Sequence, residues 1–219
     1  YFEASKLYQE IYLDSKDVFW AFKAALFNLA VWDLKEALEI TRKYLNDPNN
    51  PKAKVFSKYI DSSANLAIKT STELLLKIKQ DFNTNSKFLR LLFESFETVK
   101  KHVLRVEIEP GGEYSIGEET SIRVILENCA KDVLLKKVKV NFENTVPKNS
   151  IKLLEDWSQG YCLLEEIRPA NRETLLIPLK FLRDGKIKIR IKVHASDSLN
   201  NRYKAAVARR IIVKGKRDM

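Results

Sequence analysis

Lys186-Ile187-Lys188-Ile189-Arg190-Ile191-Lys192-Val193-His194 alternates branched apolar and basic residues without a break. In an extended chain successive side chains point to opposite faces. Ile187, Ile189, Ile191 and Val193 are therefore predicted to face a core, and Lys186, Lys188, Arg190, Lys192 and His194 to face outward. A helix would spread both sets around its circumference. The same period of two runs through the rest of this half: Leu104, Val106 and Ile108 share a face, then Ile122, Val124 and Leu126, then Val138, Val140 and Phe142. Further strands are predicted at about 161–167, 173–182, 186–195 and 203–213. Turn formers separate them: Gly111-Gly112, Pro147, Pro169-Ala170-Asn171, Asp184-Gly185 and Ser196-Asp197-Ser198. This gives seven or so strands, each half-buried.

The pattern changes near His102. No glycine precedes it, all six follow it, and the earlier apolar residues recur at helical spacing. Helices are predicted at about 2–13, 16–30, 33–46, 51–81 and 86–101, with Asp17, Asp33 and Ser86 near helix starts and Pro51 as a first-turn proline. The chain reads as α+β with two domains, an α-helical part over 1–101 and a β-sandwich over 102–219. At 45% hydrophobic and 31% charged residues the composition is that of a folded protein.

The stretch Val18-Phe19-Trp20-Ala21-Phe22-Lys23-Ala24-Ala25-Leu26-Phe27, then Trp32-Asp33-Leu34-Lys35-Glu36-Ala37-Leu38 and the closing Asn46-Asp47-Pro48-Asn49-Asn50, resembles a tetratricopeptide repeat. Ala24, Ala25, Ala30 and Ala37 fall where the two helices of a repeat approach closely, although Ala30 and Val31 stand where the family usually has glycine. The resemblance implies that 2–13, striped by Ala4, Leu7, Tyr8 and Ile11, is the second helix of a preceding repeat. It also implies that 51–81 and 86–101 form a cap, and that outward residues of 17–30 such as Lys23 and Asn28 touch a peptide ligand. An ordinary helical bundle is the other reading. In the second half, Pro110…Ile116-Gly117-Glu118…Ile122…Leu126-Glu127-Asn128, then Ile167-Arg168-Pro169…Ile177-Pro178-Leu179 and Asp184-Gly185-Lys186-Ile187, are similar to immunoglobulin-like sandwiches of the cell-adhesion-related and arrestin-like kinds. That likeness implies a fold and no particular function.

Charge is concentrated at one end. Residues 180–217 hold thirteen Lys or Arg against Asp184 and Asp197, a net +11, and everything before them sums to zero. A localised field selects partners. The candidate binding residues are Lys186, Lys188, Arg190, Lys192, His194, Arg209 and Arg210, joined by Lys137, Lys139 and Lys180 if the sheet order is immunoglobulin-like; Lys214, Lys216 and Arg217 extend the charge into the tail. Lysine also guards exposed strands against edge-to-edge pairing and suits heat-adapted surfaces, so a bland surface is the competing reading. Binding by base stacking wants aromatics among the cations, and Tyr203 is the nearest candidate.

Nothing points to catalysis. There is no phosphate-cradling glycine loop or GxSxG elbow, and His102 and His194 stand apart without a metal-binding spacing. Acid pairs such as Glu118-Glu119, Glu155-Asp156 and Glu165-Glu166 read as solvated turn or strand-end residues. No catalytic residue, cofactor or metal is expected. Cys129 lies on the polar side of its strand, so Cys129 and Cys162 are expected as free thiols, and Trp157 as a lid on the sandwich or an exposed hook. No apolar run reaches the ~20 residues that span a bilayer, and a cytoplasmic location is expected. A repeat unit cannot bury its apolar face alone, so the repeat resemblance implies upstream repeats or a cap. These readings converge on a non-enzymatic scaffold docking an acidic protein. The alternatives are a nucleic-acid binder using 180–217 and the regulatory C-terminal portion of a larger enzyme.

Overall fold

The computed structural model describes residues 1–82, 85–109 and 111–215, without side chains at 144–146. The chain divides into two compact units: Tyr1–Val103 with Ala130–Val133, and Leu104–Cys129 with Leu134–Met219.

The first unit holds six helices: α1 (Phe2–Ser15), α2 (Val18–Ala30), α3 (Leu34–Tyr44), α4 (Pro51–Ala64), α5 (Ile68–Asp81) and α6 (Ser86–Lys101). Four of their starts, those of α2, α3, α4 and α6, are capped by short polar side chains. Asp17 accepts from Phe19 N–H, Asp33 from Glu36 N–H, Asn50 from Lys52 and Ala53 N–H, and Asn85, one residue before the predicted Ser86, from Phe88 N–H. The predicted helix 51–81 is two helices. After Ala64 the chain turns through a Schellman motif, in which Ala67 N–H donates to Ser62 O (2.8 Å) and Leu66 N–H to Ser63 O (3.0 Å), with Leu66 at φ 55°. No glycine marks this stop, so periodicity alone ran through it. The α2–α3 turn repeats the device: Asp33 N–H donates to Asn28 O and Trp32 N–H to Leu29 O, with Trp32 at φ 64°. Lys131 N–H, from the segment Ala130–Val133, donates to Leu66 O.

Ala21, Ala24, Ala25 and Ala37 are fully buried, which lets neighbouring helix backbones approach closely. The buried residue of α1 is Ser5, whereas Leu7 of the expected stripe is 54% exposed. Ser5 takes that place because its hydroxyl donates to Ala24 O and accepts from Asn28 Nδ2 at 2.8 Å. Helix α6 packs on α2 and α4. Phe88 lies against Phe19 (4.8 Å between ring centres) and Phe22 (6.0 Å), and Thr98 Oγ1 donates to Ala30 O. Phe22 stacks on Phe56 at 4.1 Å. Tyr59 is held by Ser95 and Leu92 O, and burial pushes its phenol up to about 12.

The second unit is a two-layered sandwich. Strands β1 (Leu104–Ile108), β3 (Glu119–Asn128), β7 (Arg172–Phe181) and β5 (Ile151–Leu153) form one sheet in the order β1-β3-β7-β5. The other runs β2-β9-β8-β4-β6, built from β2 (Tyr114–Ser115), β9 (Arg202–Lys214), β8 (Gly185–Ser196), β4 (Leu135–Val146) and β6 (Tyr161–Ile167). Neighbours are antiparallel except β2 and β9. This is the immunoglobulin arrangement of a four-strand sheet facing a sheet centred on the penultimate strand. The short strands β2 and β5 were not read from the sequence, because two or three residues carry no legible alternation. Between β5 and β6 the chain crosses from one sheet to the other through a 3₁₀ turn, Glu155–Trp157, and Trp157 is buried there as a lid. Where β1 gives way to β2, Gly111 is required: a Cβ on it would lie 1.5 Å from the hydroxyl of Tyr114, whose ring is buried edge-on against Phe181.

The β8–β9 hairpin is fixed at its tip by Asp197, which is 8% exposed. Its carboxylate accepts from Leu199 N–H, Asn201 N–H and Asn201 Nδ2 (each 2.9 Å) and from the buried Tyr203 hydroxyl (2.8 Å). Removing it leaves several donors without an acceptor. Asp197→Ala is expected to cost about 2–4 kcal/mol and Tyr203→Phe about 1 kcal/mol, read as a lower urea midpoint at unchanged slope.

Candidate docking face of the five-stranded sheet

The inward set of β8 is fully excluded from solvent: Ile187, Ile189, Ile191 and Val193 each have 0% exposure. Its partner β9 buries Tyr203, Ile211 and Val213, and β4 buries Leu135, Val138 and Val140. With those positions pinned, the alternate residues are forced outward. Lys186, Lys188, Arg190 and His194 are exposed and Lys192 half-exposed, all on one face.

Strand register arranges these basic residues in rows. Lys188 stands opposite Arg210, His194 lies between Lys139 of β4 and Lys204 of β9, and Ser196 is opposite Arg202. Directly opposed residues on an antiparallel pair have Cβ atoms ~5 Å apart, so like charges there repel. One acid tempers the middle of the face: Glu143, opposite Arg190, takes Lys192 Nζ at 2.7 Å. The row Lys139–His194–Lys204 contains none. Lys139 instead sets its ammonium 4.3 Å from the centre of the Tyr161 ring, contributed by β6. Each exposed charge is screened beyond ~8 Å at physiological salt, and the strength of the face lies in the number of cations within that distance.

The structure thus brings Lys186, Lys188, Arg190, Lys192, His194, Lys139 and Arg210 to one face, and sets three other candidates apart. Arg209 has the opposite parity; its Nη1 donates to Ile108 O at 2.7 Å and its side chain is half-buried. Lys137 sits at φ 52° as the extra residue of a β-bulge, between the pairs Lys136–Ser196 and Lys139–His194. Lys180 belongs to the other sheet, opposite Glu119 and Lys152. Lys214 reaches the edge of the sheet and pairs with Glu113; Lys216 and Arg217 lie outside the described residues. Tyr203 points inward, so the aromatic of this face is Tyr161.

Arg202, Lys204 and Tyr161 were missed. The first two share the parity of Arg210 and were legible in β9, whereas Tyr161 joins the face only through the pairing of β6 with β4. In the helical unit Asn28 is buried and bonded to Ser5 and Ala24, so it is a packing residue. Lys23 is half-exposed, with its ammonium over the rings of Tyr8 (4.2 Å) and Trp20 (4.8 Å).

Both cysteines are free thiols. Burial, reinforced by Glu127, pushes the Cys129 thiol up, which lowers its thiolate fraction and its nucleophilicity. Among the described residues no group of His, Cys, Asp and Glu is placed to hold a metal ion, and no helix is long and apolar enough to cross a membrane.

No protein-family model matches the chain, and no curated protein does. Among solved structures it is similar to a cohesin module from a family 33 glycoside hydrolase of Clostridium perfringens, at 11% identity and TM-score 0.39 over 52% of this chain and 98% of that one. It is also similar to a CARDB domain from Pyrococcus furiosus, at 15% identity and TM-score 0.37 over 51% and 94%. A third likeness is to Escherichia coli alpha-2-macroglobulin, at 19% identity and TM-score 0.39 over 51% of this chain and 16% of that one. The sandwich fold itself is established by the strand order and register.

The two adjacent arginines give a direct check on facing. Arg210→Ser is expected to lower the salt needed to elute the protein from a cation exchanger while leaving its unfolding free energy in urea within ~0.5 kcal/mol of wild type. Arg209→Ser is expected to lose about 1.5–3 kcal/mol of stability through its bond to Ile108 O.

Proposed function

We propose that the chain is a non-enzymatic interaction module in which the outer face of the five-stranded sheet docks an acidic protein surface. One observation carries this reading: Lys186, Lys188, Arg190, Lys192, His194, Lys139 and Arg210 project from a single face whose register is set by buried neighbours. A rigid array of like charges is repulsive until an anion covers it, which favours a partner of complementary charge.

The helical unit is read as tetratricopeptide-like. Its support is periodic: Trp32 and Leu66, which share the left-handed region with Lys16, stand 34 positions apart, as do the first residues of α3 and α5, and the turns at Trp32 and Leu66 have the same hydrogen bonding. In such arrays the first helices of successive repeats line a peptide groove. Here α6 covers that side of α2 and α4 with Phe88 and Leu92. Partner binding is therefore assigned to the basic sheet, and a scaffolding role to the helices.

Nucleic acid is the second reading, favoured by Tyr161, whose ring beside Lys139 could stack on a base. The variant Lys186→Ser/Lys188→Ser/Arg190→Ser/Lys192→Ser separates the outcomes. It keeps the buried face intact, so its far-ultraviolet spectrum and urea midpoint are expected to match wild type within ~1 kcal/mol. Its retention on polyglutamate resin is expected to fall well below that of wild type, although Lys139, Lys204 and Arg210 remain. Equal retention of wild type and variant would remove the docking face. Tighter binding of single-stranded oligonucleotides of any sequence, falling linearly in log salt, would favour nucleic acid instead.

A further inference from the structure

The edge of β9 supplies a more specific site than the sheet face. Where β1 ends at Ile108 and before β2 begins at Tyr114, a groove of about 370 Å³ opens along β9. It is lined by four consecutive residues, Arg209, Arg210, Ile211 and Ile212. Consecutive strand residues alternate between faces, so a cavity touched by all four looks onto the edge of the strand. Gly111 and Gly112 form the opposite wall, and a side chain at Gly112 would meet nothing within 4 Å, which leaves that wall open.

Backbone direction follows from one hydrogen bond. Ile116 N–H donates to Lys214 O, so the polar groups of Lys214 point away from β8, toward β2. The register of β8 with β9 runs unbroken from Gly185–Val213 to Ser196–Arg202. Antiparallel pairing alternates strictly, hence the N–H groups of Ile212 and Arg210 also point away from β8, into the groove. Among the described residues, strand β2 pairs with Val213 and Lys214 and stops short of them. An open strand edge is a template for another strand.

The flanking charge selects what pairs there. Arg209 projects to one side of the edge and Arg210 to the other, and among the described residues Arg209 is bound through Nη1 to a neutral carbonyl. The two acids of the groove are already paired, Glu113 with Lys214 of the groove itself and Glu109 with Arg123 at 3.0 Å, which leaves Arg209 and Arg210 as the cations facing a ligand. We infer that an extended, acidic peptide segment adds as a strand to the edge of β9 at Arg210–Ile212, its main chain bonded there and its carboxylates meeting Arg209 and Arg210. This rests on the acidic-partner reading above and specifies how that partner is held.

Proline tests it, because proline is tolerated on an edge strand where its missing N–H faces outward. The probe is a fluorescein-labelled peptide of alternating Glu and Val, added to the whole chain. Wild type is expected to bind it, with hydrogen exchange at the Arg210 and Ile212 amides slowed about tenfold or more. Ile212→Pro is expected to weaken binding about tenfold, a loss of one bonded register position, while Ile212→Ala stays within about twofold. Peptide binding with unprotected Arg210 and Ile212 amides, equal in Ile212→Pro, would overturn strand addition and leave the face reading standing. Absence of binding by wild type to both this peptide and polyglutamate would overturn both. Should Ile212→Pro unfold, the exchange data on wild type decide.

Discussion

The burial of Ile187, Ile189, Ile191 and Val193 between the two sheets is the constraint from which the rest of the sandwich follows. Each fully buried branched side chain contributes roughly 1.5–3 kcal/mol relative to exposure. A slip of one residue would exchange all four for Lys186, Lys188, Arg190 and Lys192, placing unpaired ammonium and guanidinium groups in an apolar layer at a cost no local contact could offset. The register of β8 therefore has one acceptable value. Because β9 and β4 pair with β8 along almost its whole length, that value also sets which of their residues face out.

Electrostatics is carried by this framework and does not build it. Exposed ion pairs contribute little to stability, and the face opposes like charges at Lys188–Arg210 and sets Lys139 and Lys204 on either side of His194. Such juxtapositions persist because the hydrophobic layer beneath them is worth far more than their screened repulsion. A stiff sheet also orders the backbone of its cations before any partner arrives, which lowers the entropy lost on binding. The same sheet ends in an edge left open by the shortness of β2, so the proposed backbone and side-chain contacts lie next to each other on β9.

The helical unit achieves order by a different route. Without glycine, its turns place Lys16, Trp32 and Leu66 in the left-handed region, at a cost of order 1 kcal/mol each, and those at Trp32 and Leu66 close through Schellman hydrogen bonds. Fully buried alanines then let helices meet closely, and aromatic rings fill the space around α2, from Phe19 and Phe22 to Phe56 and Phe88. The covering of α2 by α6 turns a side that could have been a groove into core.

Much of this was legible in the chain. Period-two alternation gave the main strands and the outward direction of Lys186, Lys188, Arg190, Lys192 and His194, and the glycine-free first half gave helices with caps at Asp17 and Asp33. These features are local, and a side chain's direction along one strand needs no knowledge of its neighbours. What the linear order could not express was adjacency. Lys180 belongs to a different sheet, Lys137 rides a bulge, Arg209 turns to a carbonyl of β1, and Tyr161 joins the cations from a strand that pairs with β4. The break between α4 and α5 was hidden because Leu66 performs a glycine's task under tertiary support. The sequence alone determined which side of each strand is wet; only the tertiary structure decided which wet sides meet, because strand order is set by packing between residues far apart in the chain.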